Sequence, residues 1–276
     1  MRYSFSHQFV GDVVYGKFFN MKTLFFNKIR VFVFASFVVV TGFPASTFSE
    51  KIDPQKLLEV VDNNLWSDTK YIEGRLIIDN GRLKRVIEMV SWMQGVEHSY
   101  SYYKSPPRER GTKMLKIGSK LWVYTPRTDR KLLVAGHMLR QSMMGSDLSY
   151  EDMMEDKKLS RSYEATLEEV KSFRGVYCNI LLLNAYDKTT TYQKRKLWVD
   201  SRRKVILRQE LYAKSGLLIK NIEFYGYRSI GLRLFPEKMI FRDLLKNNTQ
   251  TTYIFDEIKF DVKIPAKYFS QSILKK

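Results

Sequence analysis

The chain has 276 residues, 44% of them hydrophobic and 14% aromatic, which is enough to bury a core without staples and too apolar for a disordered chain. A single cysteine, Cys178, excludes an intramolecular disulfide framework and a multi-cysteine zinc site, and three histidines (His7, His98, His137) leave little for a metal centre. Lysine and arginine number 47 against 29 acidic residues, a formal charge of +18; in a cytosolic protein that balance would point to nucleic acid.

The first element argues for another compartment. From Met21 the chain reads MKTLFFNKIRVFVFASFVVVTGFPASTFSE. Lys22, Lys28 and Arg30 precede an apolar run from Val31 to Phe43, and Thr47 and Ser49 offer the small side chains a signal peptidase inspects. This is the pattern of a Sec signal peptide. The run falls short of the roughly 20 residues a membrane-spanning helix needs, and no cysteine lies near the cleavage region to be lipidated. Residues 1–20 fit badly as the head of such a peptide, so translation is expected to start at Met21. Residues 1–49 are then an extension plus leader, and 50–276 a single mature domain. That domain holds 42 basic and 28 acidic residues, a net charge of +14. Outside the cytoplasm such a surface meets anionic headgroups rather than nucleic acid, or is simply solvated.

Along the mature chain, DPQKLLEVVDNNL predicts a helix over 53–65, with Asp53 as cap, Pro54 in the first turn and Leu57, Leu58, Val61 and Leu65 on one stripe. The pattern then changes to period two. Strands are predicted at 71–79, 83–93, 96–104, 112–117, 120–125 and 131–135, with Asn80-Gly81 a strong hairpin signal. Residues 138–155 break the alternation and read as short helices and loop, with Asp147 or Ser149 capping a turn through Tyr150–Met153. Strands resume at 160–166, 175–185, 192–199, 205–214, 217–227, 238–245 and 249–260. In 194–199 the charges are expected outside and Trp198 buried. About eleven strands in sequential meander order, one amino-terminal helix and one helical insertion predict a mainly β (α+β) domain. Its single strongly curved antiparallel sheet would form an incomplete barrel, with the helices and loop plugging the concave face.

Catalytic motifs are missing. There is no Gly-x-Ser-x-Gly elbow, phosphate loop or dinucleotide fingerprint. Cys178, in YCNILLL, reads as an inert core residue. Asp147, Glu151, Asp152, Glu155 and Asp156 offer carboxylates that a glycosidase could use, but acids near a helix start mostly cap it. The order GSDLSYED also lacks calcium-loop spacing. Met138, Met143, Met144, Met153 and Met154 cluster within seventeen residues; flexible thioethers suit a lid over a variable apolar partner, or a loop's own core. No catalytic residue, metal or cofactor is expected.

Residues 118–155, GSKLWVYTPRTDRKLLVAGHMLRQSMMGSDLSYEDMME, resemble the signature segment of the outer-membrane lipoprotein-sorting protein family. The matching pieces are the strand ending Trp122-x-Tyr124-x-Pro126, a basic turn, and the run Met-Gly-Ser-Asp-Leu-Ser-Tyr-Glu-Asp (144–152). The strand LWVDSRRKVILRQELYAKSG, a further aromatic strand and a carboxy-terminal hairpin extend the likeness over 53–269. The resemblance implies the fold of the periplasmic lipoprotein carriers, an open curved sheet whose hollow holds acyl chains. It implies a Gram-negative periplasmic protein that ferries lipid or lipoprotein acyl chains toward the outer membrane. An inner-membrane transporter of the resistance-nodulation-division or ABC type and an anionic membrane surface are its expected partners.

On that reading Trp122, Tyr124, Met138, Leu139, Met143 and Met144 are expected in the cavity or its lid. Arg127, Arg130, Lys131 and Arg140 are expected to meet a headgroup or partner. Gly145, Ser146, Asp147, Ser149, Tyr150, Glu151 and Asp152 are expected to turn and cap the lid backbone. Two alternatives stand beside the carrier: a lipid-sensing regulatory protein of the same fold, and an envelope hydrolase using the acidic cluster. The regulators usually carry a further carboxy-terminal domain, for which no room is expected after the last strand.

Overall fold

The computed structural model describes residues 52–155 and 157–274. The expected leader, the extension before it and the expected mature start at Glu50 lie outside the described residues. Helix α1 (Pro54–Leu65) is capped as its sequence predicts: Asp53 Oδ1 accepts from the amides of Gln55 (3.0 Å) and Lys56 (3.2 Å). Its stripe meets the sheet, with Leu57, Leu58 and Val61 buried and Leu65 half-buried.

Period-two patterning produces β1 (Thr69–Asp79), β2 (Lys84–Gln94), β3 (His98–Ser105), β4 (Lys113–Ile117), β5 (Lys120–Thr125) and β6 (Arg130–Val134). After the insertion come β7 (Tyr163–Phe173), β8 (Val176–Ala185), β9 (Lys194–Asp200), β10 (Ile206–Tyr212), β11 (Leu218–Ile230), β12 (Arg233–Asp243) and β13 (Gln250–Phe260). They form one antiparallel sheet in the order β6-β5-β4-β3-β2-β1-β13-β12-β11-β10-β9-β8-β7. β6 and β7 each pair on one side only, so the sheet curls into an incomplete barrel with two edges.

Two expectations need correction. The sheet has thirteen strands, one for each of the thirteen ranges that the alternation marks and more than the total of about eleven, and the meander is not continuous. Two meanders, β1 to β6 and β7 to β13, join where β1 pairs with β13, Lys70 opposite Phe260 through Asp79 opposite Gln250. The last strand therefore lies at the middle of the sheet, and β6 and β7 sit at opposite edges. Strand boundaries also move. Residues 159–162 form a helical turn, α3, ahead of β7. β12 starts at Arg233, before Pro236. Proline is a poor strand residue in sequence terms, but Arg233–Glu237 pairs with β11 alone, so its missing amide hydrogen has no second strand to serve.

One face of the sheet is the interior. On β1, Lys70, Ile72, Gly74, Leu76 and Ile78 alternate onto it and are all buried. Helix α1 covers its β7–β11 half through Tyr163, Leu181, Leu183, Leu197 and Phe224. Residues from the insertion cover the β1–β5 half through Ile87, Met89, Tyr103, Leu121 and Val123. The outer face is not bare. The turns Ala266–Phe269 and Gln271–Leu274 lie over Tyr100, Leu115 and Trp92, with Trp92 and Tyr268 stacked at 4.3 Å.

Gly74 marks the tightest inner-face approach. A Cβ there would stand 2.4 Å from the Ile254 carbonyl oxygen and 2.8 Å from the Tyr253 ring, beside the register shift at Glu73/Gly74. Backbone cannot yield as a side chain can, so Gly74→Ala is expected to cost about 1–3 kcal/mol through overpacking. Urea denaturation checks this; an unchanged midpoint would mean that the β1–β13 seam is looser than its geometry.

Candidate ligand cavity

The insertion begins at edge strand β6 and ends at edge strand β7, so it has to cross the whole hollow. Four acids hold it. Asp147, 1% exposed, accepts from the Asp243 amide (3.1 Å) and the hydroxyls of Thr249 (2.5 Å) and Thr251 (2.7 Å), tying the Met-Gly-Ser-Asp turn to the β12–β13 hairpin. That turn is left-handed at Met144 (φ 53°) and Gly145 (φ 73°). Glycine suits the conformation; Met144 is held in it by Arg85, which donates to its carbonyl. Lys246 donates to Ser142 Oγ (2.9 Å) and the Ser146 carbonyl (2.5 Å).

Next comes the short helix α2 (Tyr150–Met154). Ser149 is its cap, with Asp152 completing a reciprocal capping box: Asp152 N–H donates to Ser149 Oγ (3.2 Å) and Ser149 N–H to Asp152 Oδ2 (2.6 Å). Asp147 caps no part of this helix. Asp152 also pairs with Lys220 on β11 and accepts from Tyr192 Oη (2.7 Å). Burial, followed by the charge of Asp152, pushes the Tyr192 phenol well above its ordinary value. Glu151 accepts from Thr191, and Glu155 pairs with Arg195 on β9. From the other side of the hollow, Lys116 on β4 donates to the Met154 carbonyl (2.8 Å) at the helix's carboxy end. After the helix, Asp62 of α1 accepts from the amides of Leu159 (2.9 Å) and Ser160 (2.8 Å). Burial raises its carboxyl more than these bonds lower it.

Beneath this cover lies a cavity of about 280 Å³. Its apolar wall comes from Ile72, Ile222, Phe224, Phe235, Phe241 and Tyr253 on the sheet, Leu65 of α1, and Leu148, Met153 and Leu159 of the insertion. Polar groups line it in two places: Lys70, Ser91 and Ser101 on β1–β3, and Arg195, Gln209 and Lys220 on β9–β11. The Ser91 and Ser101 hydroxyls bond each other at 2.7 Å, so that part of the wall is satisfied internally. Arg195 is 4% exposed. Burial disfavours its charge, but Glu155 and the Tyr163 hydroxyl (2.7 Å) outweigh that and hold the guanidinium protonated.

The predicted site residues divide. Met138, Leu139, Met143 and Met144 lie in the insertion and pack on the inner-face core, where Tyr103 Oη reaches Met143 Sδ at 3.6 Å. They anchor the cover rather than line the cavity; Met153 is the methionine of the cluster that does line it. Trp122 and Tyr124 are on the opposite face, under the carboxy-terminal turns, because Leu121 and Val123 take the inner positions of β5. Arg127, Arg130, Lys131 and Arg140 are exposed and away from the cavity. Gly145, Ser146, Asp147, Ser149, Tyr150, Glu151 and Asp152 do sit together in the turn and cap.

Arg195 and Lys220 are absent from the sequence reading. The expectation for 194–199 put charge outward and Trp198 inward. The structure keeps Lys194 and Lys196 on the outer face but overturns the rest: Arg195, Leu197 and Val199 are buried on the inner face, and Trp198 lies with Phe173 outside. The alternation Arg-x-Leu-x-Val was the available signal. Cys178 is buried, and burial pushes its thiol up to about 11.

No curated protein matches the chain. Among solved structures, it is similar to a DUF1329 family protein from Desulfovibrio piger, at TM-score 0.72 and 23% identity over 81% of this chain and 100% of that one. An outer membrane lipoprotein-sorting protein domain from Vibrio parahaemolyticus gives TM-score 0.69 at 18% identity, covering 81% of this chain and 98% of that one. A LolA superfamily protein from Nitrosomonas europaea gives 0.68 at 23%, covering 80% and 99%. These likenesses bear out the fold that the Met-Gly-Ser-Asp segment implied. Residues 95–276 match the model of a family described as "-like: Uncharacterized protein". The chain belongs to that family, and its fold is the open, lipoprotein-carrier-like barrel of the outer membrane lipoprotein-sorting proteins.

Proposed function

We propose that this protein is a periplasmic carrier that shields the acyl chains of a lipid or lipoprotein on their way to the outer membrane. The observation that carries the reading is the cavity itself: an apolar wall on the inner face of the sheet, partly covered by an insertion that is bonded to the sheet at separate points. The driving force is burial of methylene groups, about 0.8 kcal/mol each before ordering costs are subtracted. At about 280 Å³ the cavity is at the small end of ligand sites, which run from about 300 to 1,000 Å³. A multi-chain anchor therefore needs the cover to move. The fold relatives support a binding role, and the predicted leader supports the compartment. A donor transporter of the inner membrane and the anionic surface that the net charge would favour complete the proposal.

Mass spectrometry of the protein purified without detergent is expected to find bound lipid, and a fluorescent fatty acid should bind the delipidated chain. Ile222→Trp, which fills the cavity from β11, should lower that binding at least about tenfold, equivalent to losing roughly two buried methylenes. A protein that carries no lipid and ignores the probe would overturn the reading.

A further inference from the structure

The β9–β11 side of the cavity is unusual for a site that only shelters hydrocarbon. Arg195, Leu211 and Lys220 are directly opposite one another on β9, β10 and β11. Two inward cations therefore stand two strands apart, about 10 Å at ordinary strand spacing. Both are nearly inaccessible, 4% and 6% exposed, and both line the cavity. Their partners, Glu155 and Asp152, come from the insertion and not from the sheet. Asp152 lies in α2 and Glu155 is the residue that ends it, three positions on. The sheet thus supplies the positive charge and the insertion supplies the negative charge.

We propose that Arg195 and Lys220 form an anion seat, filled in the closed state by the cover's own Glu155 and Asp152, and that an amphiphile with an anionic headgroup takes their place and so releases the cover. This inference rests on the carrier reading and names the class of its cargo: a molecule with an apolar tail and a carboxylate or phosphate head. The tail lies along Ile72, Phe235 and Tyr253. Two buried cations without counter-charge would be costly, so the cover opens only when another anion is available to replace it. Neutral amphiphiles lack that means of entry. Coupling of this kind makes the cargo's headgroup, rather than its hydrocarbon alone, decide loading.

The test compares dodecanoate, dodecyl phosphate and neutral dodecanol, titrated calorimetrically into the full chain, with amide exchange followed over residues 148–155. Either anion should bind at least about tenfold more tightly than dodecanol, the equivalent of one charged hydrogen bond, and should speed exchange in that segment. Preference for dodecanoate identifies a free fatty acid as the cargo chemistry; preference for dodecyl phosphate identifies a phospholipid-type head. In Asp152→Asn/Glu155→Gln the anions should bind at least a further about tenfold more tightly while dodecanol stays unchanged. Asp152→Asn/Lys220→Met removes one pair whole, which folded proteins tolerate, and should weaken discrimination toward parity. Equal binding of acid and alcohol by the unaltered chain overturns the anion seat and leaves the carrier reading standing. Failure of all three probes to bind overturns both.

Discussion

Arg195→Ala is expected to lower stability by roughly 3–5 kcal/mol, the range found when one member of a buried ion pair is removed. The guanidinium lies over the rings of Tyr163 (4.8 Å) and Tyr192 (5.4 Å), bonds the Tyr163 hydroxyl and pairs with Glu155. Alanine deletes all of these contacts and leaves a void beside Leu197 and Val199. The opposing effect is rehydration of Glu155, whose side chain is 27% exposed and turns partly to water. That relief limits the loss but does not cancel it, because the cavity wall keeps its shape. Arg195→Met with Glu155→Met removes the pair together and fills the space, so it should fall within about 1–2 kcal/mol of the parent. Urea unfolding of the single and double variants measures the contrast. A single variant as stable as the parent would show that the pair is solvated and that side of the cavity open to water.

Asp147→Ala should be the other severe substitution. Three donors converge on this carboxylate, and hydrogen bonds to a charged group contribute about 1.5–3 kcal/mol each. Their loss is not fully additive, since Thr249 is partly accessible and regains water. A cost on the order of 4 kcal/mol follows. The effect has a location as well as a size. Freed from the β12–β13 hairpin, residues 143–149 should exchange amides faster, while β1 and β13 stay protected. Asp147→Asn keeps an acceptor for the Asp243 amide and should lose about half as much. A hydrolase using Asp147 as its acid would behave the other way, losing turnover with stability intact, so the same two variants separate the readings.

The acidic cluster shows how far residue types lead. Their crowding in GSDLSYEDMMED raises the possibility of catalysis, and capping answers it for Asp152 alone in the strict sense. Asp147, Glu151 and Glu155 bond to residues 40 or more positions away along the chain, so no local pattern could assign them. The methionines are similar. Their clustering marks the insertion correctly, but only Met153 reaches the cavity while Met143 is sealed against Tyr103.

Local regularities were legible throughout: the Asp53 cap, the stripe of α1, period-two strands, and an insertion that refuses that period. Each depends on contacts within a few residues, where backbone geometry and spacing are strict. The signature run likewise marked the fold, because its turn is built from residues adjacent in sequence. What tertiary structure alone decided is which alternate set of a strand becomes the interior. Trp122 and Tyr124 are as apolar as Leu121 and Val123, and both sets are covered, one by the insertion and the other by the carboxy-terminal turns. Alternation says which residues share a face and leaves the choice of face open. The β1–β13 pairing was equally beyond local reach, since 171 to 190 residues separate the partners. It is that pairing which sends β6 and β7 to opposite edges, stretches the insertion across the hollow, and brings its carboxylates onto Arg195 and Lys220.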